Sequence, residues 1–321
     1  MLTYKKMLQQ SKNAIPEAIL LLLRYYRIIA VTSCTCAMKV RAYAKINLGL
    51  NVLGKRPDGY HSIETVFRLI DLYDEIEILQ NDQGIHFATN SPELSNDNSN
   101  LCVQAAHLLR DLTGIHTGVE ITLTKRIPIG AGLGGGSSDA AAVLKGLTKL
   151  WTLDITRDEL QTVSATLGSD VPFFLTGLTA FATGRGDILE SFDLQIPYTI
   201  LLVTPKIHVS TAWAYSQIHP LQGVKRHNLR AVLDGSMGDA QRLQKELLND
   251  FENAVFQHYP DIASIKSTLL AEGAACALMS GSGSSVFGFF SNPSVARDLA
   301  QRLSGKYATS VTDPSFKPVI N

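Results

Sequence analysis

The chain is 321 residues long, with 29 basic and 29 acidic side chains, a formal net charge of +0, and 45% hydrophobic against 18% charged residues. That length suits about two domains of ~150 residues, and the composition excludes a disordered, collagenous or coiled-coil chain. Zero net charge argues against a nucleic-acid binder that works through a dominant basic surface.

The N-terminal segment stands apart. Residues 1–37 carry Lys5, Lys6, Lys12, Arg24 and Arg27 against Glu17 alone. The apolar stretch Ala18 to Val31 is cut by Arg24 and Arg27. It falls short of the ~20 apolar residues of a membrane helix. Its charges also lie inside the apolar region, unlike those of a signal peptide. Three readings fit it: an upstream extension with Met38 as the true start, a basic amphipathic targeting segment, or a short docked helix. The first is favoured, because Met38-Lys39-Val40 leads straight into a strand-like run. The segment is left out of the fold reading.

Val40 to Val52 alternates apolar and polar residues and predicts a strand. Lys55-Arg56-Pro57-Asp58-Gly59 predicts a turn. Val66 to Leu79 reads as a strand pair, Leu69 to Leu72 and then Asp74 to Ile78. Asn90 to Asn100 is loop-like, Leu101 to Leu112 has helical spacing, and Val119 to Leu123 is strand-like. A glycine cluster precedes an alanine-rich helix from Ser137 to Leu150. Thr156 with Glu159 forms a capping box, which predicts a helix to Leu167 ended by Gly168. Ala180 to Leu189 predicts a hairpin turning at Gly184-Arg185-Gly186, and Ile200 to Val203 a buried strand. Helices are then expected over Gln241–Phe256, Ile262–Glu272 and Val295–Leu303, with strands over Ala275–Met279 and Ser285–Phe290. The class is α+β in two lobes, with a seam at residues 190 to 200. Cys34, Cys36, Cys102 and Cys276 form no C-x-x-C pair. They are expected as buried thiols in a reducing, cytoplasmic setting.

Residues 128–138 read Pro128-Ile129-Gly130-Ala131-Gly132-Leu133-Gly134-Gly135-Gly136-Ser137-Ser138. Gly130, Gly132 and Gly135 satisfy G-x-G-x-x-G by spacing. A dinucleotide fingerprint, however, follows a hydrophobic strand directly and has an acid at a second strand end. Here Arg126 and Pro128 precede the cluster, and Asp154 falls in a polar turn. No Gly-Lys-Ser/Thr follows, so it is no Walker A loop either. Glycines let a backbone curl and aim several N–H groups at one anion. Ser137 or Ser138 is expected to cap the following helix, whose N-terminus attracts phosphate. The cluster reads as a polyphosphate cradle.

This motif resembles the phosphate-binding loop of the GHMP kinase superfamily. Ala42-Tyr43-Ala44-Lys45-Ile46-Asn47-Leu48 resembles its N-terminal motif, and Met279-Ser280-Gly281-Ser282-Gly283-Ser284-Ser285 its third, glycine-rich motif. Arg56-Pro57-Asp58-Gly59-Tyr60-His61 and Gly168-Ser169-Asp170-Val171-Pro172-Phe173-Phe174 are similar to one branch of it. That branch belongs to non-mevalonate isoprenoid precursor synthesis and phosphorylates the 2-hydroxyl of a methylerythritol unit carrying a cytidine diphosphate. The resemblance covers Lys39 to the C-terminus.

The resemblance implies a ribosomal-protein-S5-like N-terminal lobe over residues 38–195 and a ferredoxin-like C-terminal lobe over 196–321. It implies ATP and Mg²⁺ as cofactors, with ATP on Pro128 through Ser138, while the metal ligands stay unassigned. Asp170, past a helix end and stiffened by Val171-Pro172, is the candidate base, with Lys45 as its partner. Asn47, Tyr60 and His61 are expected to hold the cytidine, with Tyr60 stacking and His61 hydrogen-bonding the base edge. Tyr215 is expected to close over the base from the other side, with Thr211 nearby. His86 and His116 are given no role. The partner is a small molecule carrying a cytidine diphosphate. No nucleic acid and no membrane are expected, and the chain is expected to be a monomer or weak homodimer. The alternatives are a homoserine or phosphomevalonate type of GHMP kinase, a non-catalytic binding protein on the same fold, and an NAD-dependent oxidoreductase.

Overall fold

The computed structural model describes residues 37–218 and 228–319, and these described residues pack as one compact unit. The readings of segment 1–37 therefore lie outside the described residues, Ala37 excepted. In chain order the elements begin with β1 (Met38–Lys55), β2 (His61–Asn81), β3 (Ile85–Thr89), α1 (Leu101–Thr113) and β4 (Gly118–Thr124). They continue with α2 (Gly135–Leu150), α3 (Arg157–Ser164), α4 (Phe173–Thr176), β5 (Thr179–Thr183) and β6 (Ile188–Ser191). The second half holds β7 (Thr199–Thr204), α5 (Thr211–Ser216), α6 (Leu229–Ser236), α7 (Ala240–Glu246), α8 (Glu252–His258) and α9 (Pro260–Ala271). It closes with β8 (Cys276–Met279), β9 (Val286–Phe290), α10 (Pro293–Leu303) and β10 (Ala308–Thr312).

The first sheet runs β3-β4-β2-β5-β6, with β1 laid along β2. The long β2 pairs with β5 through Thr65–Arg68 and with β4 through Glu75–Asn81, so it is the spine of this sheet. The second sheet has the order β10-β7-β9-β8, all antiparallel. With helices between β7 and β8 and between β9 and β10, this is the split β-α-β of a ferredoxin-like lobe. The α+β, two-lobed expectation holds. The chain leaves the first sheet at Ser191 and enters the second at Thr199.

β1 alternates in sequence, yet it is buried almost continuously from Ala42 to Val52. Ala44, Ile46 and Leu48 sit in one core with Leu202, Phe287 and Phe289 of the second sheet. Ala42 and Tyr43 face a second core, formed with Ala141, Leu144 and Leu147 of α2. The strand is covered on both faces, so its polar positions Lys45, Asn47 and Asn51 are buried as well. Lys45 and Asn47, two residues apart, share one face. Beyond them the register slips between Asn47 and Leu50, at Gly49 with φ +103.

Several expected boundaries move. The expected strand pair within Val66–Leu79 is one unbroken strand, because β1 and β4 hold it on both edges. The alanine-rich helix starts at Gly135, two residues earlier than expected. Its N-cap is Gly134 in the left-handed region, with no side-chain cap. The capping box on Thr156 and Glu159 forms, yet α3 ends at Ser164 and continues only as turns. The helix expected over Gln241–Phe256 is two. Residues 247–250 straighten between α7 and α8 to pair with β1: Leu50 N–H donates to Leu248 C=O at 2.8 Å, and Asp250 N–H to Leu50 C=O at 3.0 Å. The elements β3, β10, α4, α5 and α6 are not among the expected ones. Cys102 and Cys276 are buried free thiols.

Candidate active site

The glycine cluster enters a curled loop because its non-glycine residues are anchored. Ala131 and Leu133 are buried in the core between the sheets. Gly130, Gly132 and Gly134 alternate with them at φ +65, +79 and +68. Glycine adopts this region without a Cβ penalty. Three successive carbonyls are turned onto the protein. Ala131 C=O accepts Ser285 N–H at 3.2 Å, Gly132 C=O accepts the Ser280 hydroxyl at 3.0 Å, and Leu133 C=O accepts Lys45 N–H at 3.0 Å. With these carbonyls engaged, the loop amides and the first N–H groups of α2, which lack intrahelical partners, are what faces a ligand.

A cavity of about 1280 Å³ opens over this loop. Pro128 through Ser137 line it in sequence, together with Lys45, Asn47, Tyr60, His61, Asp170, Thr211 and Tyr215. Every expected site residue except Ser138 thus borders one space. Ser138 is buried, and its hydroxyl donates to Tyr43 C=O at 2.6 Å. It ties α2 to β1 and neither caps the helix nor faces the cavity.

Lys45 lies at the junction. Its side chain is buried, and Nζ is 2.7 Å from Asn47 Oδ1, 3.4 Å from Asp170 Oδ2 and 4.8 Å from the centroid of the Phe67 ring. Asn47 is fixed in turn. Its Nδ2 donates to Thr65 Oγ1 at 2.9 Å, and its backbone N–H donates to Ser280 Oγ at 3.3 Å. The Asp170 side chain is 28% exposed, so one carboxylate oxygen meets the ammonium while the group still borders the cavity.

Tyr60, which also borders the cavity, is 58% exposed, and the Arg185 guanidinium lies 5.0 Å from its ring centroid. Arg185 is held by Asp187, whose Oδ2 accepts from Nε and Nη2 at 3.1 Å. His61 stacks on Tyr215 with centroids 4.8 Å apart and an interplanar angle of 20°. The rings of His61 and Tyr215 therefore occupy each other's faces, and a base between them needs the rings to part. Tyr60 offers the open face. Burial, with the Lys55 charge, pushes the His61 pKa below its usual value and favours the neutral imidazole at neutral pH. Burial, with the Asp170 charge, pushes the Tyr215 hydroxyl up to about 12, so it stays protonated. The Thr211 hydroxyl pairs with Ser282 Oγ at 2.9 Å.

Three groups of residues escaped the sequence reading. Lys125 Nζ sits 2.6 Å from both Asp74 Oδ2 and Asp139 Oδ2, and all three side chains are buried. Burial and the Asp74 charge raise the Asp139 pKa, and Lys125 only partly offsets them. A Cβ on Gly135 would lie 2.9 Å from Lys125 Nζ, so this triad stands directly beneath the start of α2. Asn249 is the second: its Nδ2 donates to Met279 C=O at 2.7 Å and Gly281 C=O at 2.8 Å, tying the second glycine loop to the segment between α7 and α8. An Asn-Asp pair inside a helical pattern is a turn signal that could have shown this break. The third, Lys145 with Arg157, lies on the far side of the Asp170 segment.

Comparison with known proteins agrees with this geometry. The GHMP kinases N terminal domain matches residues 100–178, and the GHMP kinases C terminal domain matches residues 226–309. A 4-diphosphocytidyl-2-C-methyl-D-erythritol kinase from Chlorobium phaeobacteroides (strain BS1) is 45% identical over 281 residues, 87% of this chain and 98% of that one. The protein of the same name from Prosthecochloris aestuarii is 43% identical over 282 residues, again 87% and 98% of the two chains. A crystal structure of 4-(cytidine 5'-diphospho)-2C-methyl-D-erythritol kinase superposes with TM-score 0.75 at 36% identity, covering 86% of this chain and 98% of that one. A homoserine kinase from Cytophaga hutchinsonii superposes with TM-score 0.70 at 20% identity, over 90% and 96% of the two chains, which shows a shared fold alone. With relatives aligned over nearly their whole length at this identity, and both domain signatures in place, the chain belongs to the 4-diphosphocytidyl-2-C-methyl-D-erythritol kinase family of the GHMP kinases.

Proposed function

We propose that this chain transfers the γ-phosphoryl group of ATP to the 2-hydroxyl of 4-diphosphocytidyl-2-C-methyl-D-erythritol. The observation that carries the reading is one cavity bordered by the loop 128–137, by Tyr60 and His61, and by Lys45 and Asp170. The triphosphate lies over the loop amides and the start of α2. The cytosine stacks on the open face of Tyr60, within reach of the neutral His61 ring. Asp170 accepts the proton of the attacking hydroxyl as the O–P bond forms, and the bond to ADP breaks. Lys45 offsets the charge on the carboxylate and on the phosphoryl oxygens. Such transfers need positioning and charge neutralisation more than covalent help from the protein.

The donor chemistry suits Mg²⁺ carried in with the triphosphate. Among the described residues no three His, Cys, Asp or Glu side chains converge into a protein-built cage. Mg²⁺ keeps several waters and takes one or two protein oxygens beside substrate phosphates. Ser137, whose side chain borders the cavity near Gly168, is the residue that would supply such an oxygen. When bound, the cation neutralises charge on the phosphates.

A coupled ADP-release assay with ATP–Mg²⁺ tests the assignment. Turnover with the cytidylyl alcohol is expected. Turnover with homoserine or phosphomevalonate in its place would keep the fold and overturn the substrate. Tyr60→Ala probes the acceptor end. Stacking contributes ~1–3 kcal/mol per base, so KM for the cytidylyl substrate should rise roughly ten- to a hundredfold. KM for ATP should stay within twofold; an equal rise in both would show that the two half-sites are misplaced.

A further inference from the structure

The segment that carries Asp170 is held from behind by two cations that take no part in the chemistry above. After Asp170 the chain turns through Val171 and Pro172 into the four-residue α4. Phe173 N–H donates to Asp170 C=O at 3.2 Å, which ties the helix to the carboxylate's own residue. On the cavity side Phe173 packs on Phe67 with ring centroids 5.1 Å apart. The terminal carbon of the Phe174 ring lies 2.9 Å from where a Gly134 Cβ would be. On the opposite side, Lys145 Nζ of α2 donates to Phe174 C=O at 2.6 Å. Arg157 Nη2, at the start of α3, donates to Leu175 C=O at 3.0 Å and also to Thr176 C=O. Three successive carbonyls that a four-residue helix cannot bond internally are thus taken by cations from two other helices.

Lys145 is an uneconomical choice for stability alone. Among the described residues no carboxylate pairs with it. Burial pushes its pKa down to about 8 from 10.5, and Arg157 and Lys149 add repulsion. A lysine whose pKa is lowered on folding destabilises the fold while it is protonated. That penalty is fully present below about pH 8 and fades as the pH rises toward the unfolded value. An apolar side chain here removes the penalty at neutral pH.

We propose that Lys145 and Arg157 are positioning residues for the phosphoryl transfer: they clamp the carbonyl end of α4 and so fix Asp170 beside Lys45 and the acceptor hydroxyl. This rests on Asp170 acting as proposed above. The clamp acts on the placement of the carboxylate and leaves both substrate half-sites untouched.

The test is a double-mutant cycle of Lys145→Met and Asp170→Asn on the full chain, with Lys145→Arg and Arg157→Gln as companions. Each variant is read for kcat, for KM toward ATP and the cytidylyl alcohol, and for Tm at pH 7. Lys145→Met is expected to lower kcat about tenfold, a modest share of the loss a misplaced catalytic group can cause. Both KM values should stay within twofold, and Tm should be unchanged or higher. Lys145→Arg should restore most of kcat, and Arg157→Gln should act like Lys145→Met. In the Asp170→Asn background Lys145→Met should cause no further loss, because the group it positions is already disabled. An unchanged kcat in Lys145→Met overturns the proposal. So does a kcat loss accompanied by rises in both KM values, or a loss that multiplies with that of Asp170→Asn. Near-normal kcat in Asp170→Asn alone identifies the failure as that of the base assignment, and the clamp falls with it.

Discussion

Asp170→Asn is expected to lower kcat by ~10² to 10⁴ with little change in either KM, the usual scale for a lost general base. The substitution keeps shape and one hydrogen-bonding oxygen and removes the negative charge. Asp170 stands 3.4 Å from Lys45 Nζ and borders the cavity, where the acceptor hydroxyl must approach. The fixed surroundings limit any other consequence: Lys45 remains bonded to Asn47 at 2.7 Å, and Asn47 to Thr65 at 2.9 Å. Binding should therefore survive while chemistry fails. Steady-state kinetics with each substrate varied in turn checks this. A retained kcat would mean that the hydroxyl is deprotonated without Asp170 and that the carboxylate only orients it.

Gly132→Ala is expected to lower kcat/KM for ATP by ~10² to 10³, the scale of displaced phosphate-cradle donors. Two penalties coincide. Gly132 has φ +79, where an L side chain is strained by ~1–3 kcal/mol. The added Cβ would also lie 2.2 Å from the Ser280 carbonyl oxygen and 3.1 Å from that of Gly283, both backbone atoms of the facing loop. One loop must withdraw, and the Ser280 hydroxyl bond to Gly132 C=O goes with it. Because Ser280 Oγ also accepts from Asn47 N–H, the damage should reach the acceptor side as a smaller rise in that KM. Gly238→Ala is the control outside the cradle: its Cβ would meet nothing within 4 Å. Isothermal titration with ATP distinguishes the two. Equal affinities for both variants would show that the packed loop pair is not what shapes the cradle.

The acceptor end shows how far chemistry and placement diverge. The family resemblance, together with residue type, marks Tyr60, His61 and Tyr215 as base-binding aromatics. Only the folded chain shows that His61 and Tyr215 lie face to face and that Arg185 sits against Tyr60. These contacts join residues from the β1–β2 turn, β2, α5 and the β5–β6 turn, and no local spacing encodes them. The helix expected over Gln241–Phe256 runs through Asn249, where the structure has none. Pairing with β1 overrode that preference, as tertiary contacts commonly do for short helical segments.

The sequence by itself determined the local features of this protein. Those were the glycine-rich loop, the capping box on Thr156, the hairpin at Gly184-Arg185-Gly186, the α+β class and the residues bordering the site. Each depends on backbone freedom, caps or residue chemistry within a few positions, which a sequence states directly. The tertiary structure alone decided which groups meet. It set Lys45 between Asn47 and Asp170, buried Ser138 against Tyr43, joined Asp74, Lys125 and Asp139 beneath α2, and placed Lys145 and Arg157 behind Asp170. Those partners are separated by two to 125 residues, and their energies depend on burial and exact distance. Neither quantity exists until the two sheets have closed over the shared core.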